Sequence, residues 1–133
     1  MSAAGPDRQQ WLADRVRSFG RAVSGLRHAL GTEVHLRVHA VATLVVFGAA
    51  AGLQVSRVDW CLLLLTCAAV WSAELLNTGL ERLADAVHPD MHPLVGRAKD
   101  VAAGGVLVTV IAAVAVGVLV LSPYVLELVS PAS

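Results

Sequence analysis

From Val101 to Leu121 the chain runs for twenty-one residues without a charge. At about 1.5 Å of rise per residue, a helix of that length matches the roughly 30 Å hydrocarbon core of a bilayer. Two further apolar runs precede it, from about Val38 to Ser56 and from Trp60 to about Leu80. Backbone polar groups in hydrocarbon must be satisfied within the segment, so runs of this length read as helices. Composition agrees: 56% of the 133 residues are hydrophobic and 15% are charged, too little charge to coat a soluble domain. The chain is therefore expected to be an all-α membrane protein with three transmembrane helices.

Ahead of the first span, Leu12, Phe19 and Leu26 alternate with Val16, Val23 and Leu30 at spacings of three and four, with Arg15, Arg17, Arg21 and Arg27 on the polar side. This is the pattern of a basic amphipathic helix lying in the interface on anionic headgroups, over residues 11–30. Residues 1–10 read as a disordered start, and the polar, Arg-rich lead-in does not have the form of a cleavable signal sequence. Thr32 is the expected N-cap of the helix that follows. Gly48 and Gly52, and then Gly105, Thr109, Ala113 and Gly117, give small-residue spacings suited to close helix approach. Residues 86–97, with two prolines and a glycine, read as a surface loop. Pro123 is expected to close the last helix, leaving 123–133 as a short tail.

The net charge is zero, but it is segregated. Six Arg lie within residues 1–37, and Arg82, Arg97 and Lys99 lie in the second long connection, whereas the short connection between the first two spans holds Arg57 alone. The positive-inside bias then orients the chain with its N-terminus in the cytoplasm and its C-terminus outside. Cys61 and Cys67 fall on different faces of one helix and read as small packing residues. His88 and His92 have helical metal-ligand spacing, but Pro89 interrupts it. Trp60 reads as an interfacial anchor, and Trp71, nearly a turn before Glu74, reads as a packing residue before a substrate platform, with a lipid-facing role open.

The end of the second span carries the chemistry. At about 100° per residue, Glu74, Asn77, Glu81 and Asp85 share one face of an otherwise lipid-soluble helix. A carboxylate facing hydrocarbon costs on the order of 2.5 kcal/mol or more, so such a stripe belongs in a protein interior or an aqueous site. The bland reading is a polar seam between helices; the sharper one is a metal-and-base site at the membrane edge. Glu33 at the foot of the first span and Lys99-Asp100 at the start of the third converge on the same boundary. Clustered carboxylates repel unless a cation balances them. Mg²⁺ takes a few carboxylates and keeps positions for phosphate oxygens. A neighbouring lysine suits a transferring phosphoryl group, and a deeper carboxylate could accept a proton from a lipid hydroxyl. That chemistry is phosphoryl transfer to a lipid alcohol. No Walker-type loop or Gly-rich kinase loop is present, and on charge and spacing alone a small proton-coupled transporter built around Glu74 stays open beside the enzyme. Nothing in the pattern points to nucleic acid.

The run Glu74-Leu75-Leu76-Asn77-Thr78-Gly79-Leu80-Glu81-Arg82-Leu83-Ala84-Asp85 resembles the signature of the prokaryotic integral-membrane diacylglycerol kinase and undecaprenol kinase family. His92-Pro93-Leu94-Val95-Gly96-Arg97-Ala98-Lys99-Asp100 and the following residues to Gly104 are similar to its second block. Gly25-Leu26-Arg27 with Glu33, Arg37 and His39 resembles its N-terminal block. The likeness covers about residues 19–121. It implies a homotrimeric bundle of three-span subunits, each with a surface N-terminal helix. Active sites would be shared between neighbours in a bacterial cytoplasmic (inner) membrane, with residues 31–122 forming the kinase domain. The implied reaction moves the γ-phosphate of MgATP to the hydroxyl of a membrane lipid. By motif match, Glu74 takes the catalytic-base role and Glu33 and Glu81 hold Mg²⁺. His92, Lys99 and Asp100, with the two metal-binding glutamates, contact the nucleotide; Asn77 and Asp85 support the site. Arg27 and Arg37 are candidates for lipid or phosphate contact. Gly79 and Ala84 depart from the pattern, where Ala or Ser and Val are usual. Arg37-Val38-His39, His92-Pro93-Leu94 and Asp100 to Gly104 lean toward the undecaprenol-directed branch, with diacylglycerol as the alternative acceptor.

Overall fold

The computed structural model describes residues 8–90 and 92–130. They form four helices, α1 (Arg8–Thr32), α2 (Val34–Gly52), α3 (Arg57–Val87) and α4 (Pro93–Val129), with no strand among the described residues. Three of them, α2, α3 and α4, are long and apolar enough to cross a membrane. Contacts divide the chain into two units, residues 1–33 and 34–133.

The first unit is α1. Trp11, Leu12, Val16, Phe19 and Leu26 are exposed along it. Its polar side is laced locally: Arg17 pairs with Asp14 at 2.6 Å, and the Arg15 guanidinium lies 5.1 Å from the Trp11 ring centre. Of the expected disordered start, residues 8–10 instead form the first turn of α1, and 1–7 lie outside the described residues. Thr32 does not cap α2. It is the last residue of α1, and its hydroxyl donates back to the His28 carbonyl at 3.0 Å.

In the second unit, α2 ends in a Schellman turn. Gln54 N–H donates to the Ala51 carbonyl and Val55 N–H to that of Ala50, both at 3.2 Å, with Gln54 in the left-handed region at φ 53°. This closes the last turn of the helix and lets Val55 pack on Ala50, the apolar contact that accompanies the motif. Ser56 then caps α3, its Oγ accepting from the Asp59 N–H at 3.2 Å. Tyr124 of α4 joins the cap: its hydroxyl accepts from the Ser56 N–H at 3.0 Å and donates to the Asp59 carboxylate at 2.6 Å.

That clasp explains why Pro123 does not end the last helix. Proline removes one backbone donor and crowds the preceding turn, but Tyr124, the next residue, is bonded to α3. α4 continues to Val129 with Pro123 inside it. The expected loop at 86–97 gives way at both ends to helix: α3 runs to Val87, and α4 starts at Pro93 because His92 caps it through Nδ1 and Pro93 occupies the first helical position, where a missing N–H costs nothing.

α3 packs mainly against α4 and less extensively against α2. The three meet in one cluster near the 53–56 turn, where Ala50, Val55, Leu63 and Val120 are buried and Phe47 meets Trp60 edge-on at 5.5 Å. Ala50 and Phe47, not the glycines, form the contact face of α2; a Cβ at Gly48 or Gly52 would meet no atom within 4 Å. On α4, Thr109, Ala113 and Gly117 are half-buried while Gly105 is exposed.

Candidate active site

The buried face of α3 starts apolar and turns acidic. Leu63, Val70, Glu74 and Thr78 are its buried residues, at spacings of seven, four and four that keep them on one side of the helix. Glu74 is only 5% exposed. Beyond it, Asn77 and Glu81 are half-buried and Asp85 is exposed. The carboxylates therefore form a graded series from dry to wet. The step from Glu74 to Glu81 is about 10.5 Å along the axis.

Side-chain bonds organise the wetter half. Asn77 Nδ2 donates to Glu81 Oε1 at 2.9 Å, while Asn77 Oδ1 is buried without a partner among the described residues. Lys99 of α4 pairs with Asp85 of α3. This pair at one end and the Tyr124–Asp59 bond at the other fix α3 and α4 antiparallel. Interpolating between them brings Glu74 level with the Thr109–Val110 step of α4.

The remaining expected residues are more scattered. Asp100 and Arg37 are exposed, as is Arg27 on α1. His92 uses Nδ1 to cap α4, and its ring lies 5.6 Å from that of His88. Glu33 closes the first unit, its Oε1 lying 3.3 Å from the Thr32 hydroxyl oxygen. No three His, Cys, Asp or Glu side chains come together as a metal site among the described residues. The Glu81 carboxylate and the unpartnered Asn77 Oδ1 nevertheless offer oxygen acceptors, the ligand type a hard divalent cation prefers. Sequence reasoning assigned no role to Thr78, which shares the buried seam with Glu74; its i+4 spacing from that residue was the available signal.

Comparison with known proteins places this arrangement. The model of the prokaryotic diacylglycerol kinase family matches residues 20–121. The chain belongs to that family. The kinase is 33% identical to the undecaprenol kinase of Bacillus subtilis over 107 residues, covering 80% of this chain and 87% of the relative. It is 40% identical to a diacylglycerol kinase of Synechocystis over 112 residues, 84% of this chain but 64% of that longer protein. It is 33% identical to the diacylglycerol kinase of Escherichia coli K12 over 99 residues, 74% of this chain and 81% of the relative. The chain is thus a membrane-embedded lipid kinase, a transferase that uses ATP, and the transporter reading falls away.

Proposed function

We propose that this kinase transfers the γ-phosphate of MgATP to the hydroxyl of undecaprenol. The observation that carries the reading is the grading of the α3 face, with Glu74 buried in the apolar seam, Glu81 half-buried and Asp85, paired with the half-buried Lys99 of α4, exposed. A lipid hydroxyl reaches a carboxylate at Glu74's depth from within the bilayer, while a nucleotide stays at the wetter end. In the reaction the Glu74 carboxylate accepts the hydroxyl proton as the lipid oxygen bonds to the γ-phosphorus. The bond from that phosphorus to the β,γ-bridging oxygen breaks, and ADP leaves. Glu81, oriented by Asn77, and Glu33 would hold Mg²⁺, which would supply positive charge to offset that of the phosphate oxygens. Lys99, steadied by Asp85, meets the transferring phosphoryl group, and His92 and Asp100 border the nucleotide.

Undecaprenol is supported by the Arg37-Val38-His39 and His92-Pro93-Leu94 sequences and by the similarity to the Bacillus protein. The higher identity to the Synechocystis protein favours diacylglycerol as the second reading. The large apolar surface one chain leaves uncovered leaves room for contacts with further copies, and the resemblance of the 74–85 run to the family signature is what supports a homotrimer with sites completed by a neighbour. The Arg and Lys distribution supports an inner-membrane orientation with the acidic end in the cytoplasm. The test is purified full-length chain in nanodiscs with MgATP and undecaprenol or dioleoylglycerol. A higher kcat/KM for undecaprenol is expected; preference for the glyceride would favour the second reading, and no transfer to either would overturn both.

A further inference from the structure

α2 and α4 flank α3 without an extensive contact of their own, and between them runs a cavity of about 520 Å³. That volume is in the range of small-molecule sites, roughly 300–1,000 Å³. Its walls are apolar for most of their length, from Val125 and Leu63 near the 53–56 turn to Val110 and Trp71 toward the acidic end. Along α4 the lining from Val110 to Val125 covers about 22 Å. One polar device marks the inner end. Trp71 Nε1 donates to Thr43 Oγ1 at 3.1 Å, and that hydroxyl donates in turn to the His39 carbonyl at 2.8 Å. The indole is thereby tied across from α3 to α2 and held in one orientation, three residues from Glu74.

We propose that this groove takes the hydrocarbon adjoining the acceptor's hydroxyl, and that the Thr43-pinned Trp71 selects a single-chain polyprenol over a two-chain glyceride. The inference rests on the kinase reading above. An alcohol delivered from the bilayer to Glu74 must lay its first carbons along an apolar surface leading to that carboxylate, and the groove's lining reaches Trp71, three residues before it on α3. With the ring fixed, the inner mouth has a set width. A slim tail passes it, whereas a glycerol backbone carrying two esterified chains has to displace the indole or remain outside. Thr43 acts by positioning the ring. Trp71 meets the substrate.

The experiment compares kcat/KM for undecaprenol and dioleoylglycerol in nanodiscs, using the full chain and its Trp71→Ala, Trp71→Phe, Thr43→Val and Thr43→Ser variants. Trp71→Ala and Thr43→Val are expected to lower the polyprenol-to-glyceride ratio about tenfold, a change of roughly 1.4 kcal/mol in discrimination. The shift should come through KM for the lipid, with KM for MgATP unchanged. Thr43→Ser keeps the acceptor oxygen and should restore the ratio; Trp71→Phe, lacking the N–H, should fall between. An unchanged ratio in Trp71→Ala, with MgATP kinetics and helical circular dichroism intact, overturns the inference and leaves the kinase reading standing. A changed oligomeric mass with an unchanged ratio would assign the groove to a subunit contact and also overturn it. Failure of the parent protein to phosphorylate any lipid would instead sink the reading on which it rests.

Discussion

Glu74 and Glu81 share a helix face but not an environment, and the difference predicts separable defects. With Glu74 as the proposed proton acceptor, Glu74→Gln removes the base while keeping the shape, so phosphoryl transfer should fall by about 10²–10⁴-fold while MgATP still binds; nucleotide binding by calorimetry alongside lipid phosphorylation checks both halves. Asn77 is bonded to Glu81 at 2.9 Å; with Glu81 holding Mg²⁺ as proposed, a partner that orients it is typically worth about 10–100-fold in affinity. Asn77→Ala should therefore raise the KM for MgATP by about that factor and leave the lipid KM nearly unchanged. Asp85, 67% exposed at its side chain, lies at the opposite extreme. An exposed ion pair contributes little stability, so Asp85→Asn should slow turnover without moving the melting temperature. The acidic stripe was legible in the sequence because four polar residues at helical spacing in an apolar run admit few arrangements. Its pairing with Lys99 was not, since the two partners lie fourteen positions apart in the chain and only the antiparallel register of α3 and α4 decides which side chains meet.

Helix existence was likewise legible and helix ends were not. Hydropathy marks where hydrocarbon is tolerated, but a helix stops where its backbone groups find other partners, and that depends on contacts distant in sequence. α4 passes through Pro123 because Tyr124 is bonded to the cap of α3. Tyr124→Phe removes both bonds and should lower the melting temperature in detergent while leaving turnover of the folded enzyme intact, since the clasp lies at the end of the helices away from the acids. The α2–α3 turn gives a change of opposite sign. Gln54 is held at φ 53°, which costs a side-chain-bearing residue roughly 1–2 kcal/mol, and glycine surrenders part of that gain as lost backbone entropy. Gln54→Gly should stabilise the protein by about 0.5–1 kcal/mol, read as greater resistance to denaturation in mixed micelles.

Taken as a whole, the chain buries little of itself: in the most apolar stretch of α4 only 6% of residues are buried, and large apolar side chains are exposed along every helix. What covers them is lipid or other copies of the chain. If sites are completed between neighbours, subunits carrying Glu74→Gln and subunits carrying Glu33→Gln, each inactive alone, should regain part of the activity when co-assembled. Mixed nanodisc preparations measure this directly, and no recovery would confine each site to one subunit. Length has its own consequence. α3 and α4 measure about 46 and 55 Å, against roughly 30 Å of hydrocarbon, so each overshoots the membrane. Because the rise of a helix is fixed, the acids of α3 form a rigid depth gauge whose zero is set by lipid tail length. On the proposed mechanism, thicker bilayers would submerge Glu81 with the nucleotide, and thinner ones would lift Glu74 clear of the alcohol. Turnover measured across a series of acyl-chain lengths should pass through a maximum.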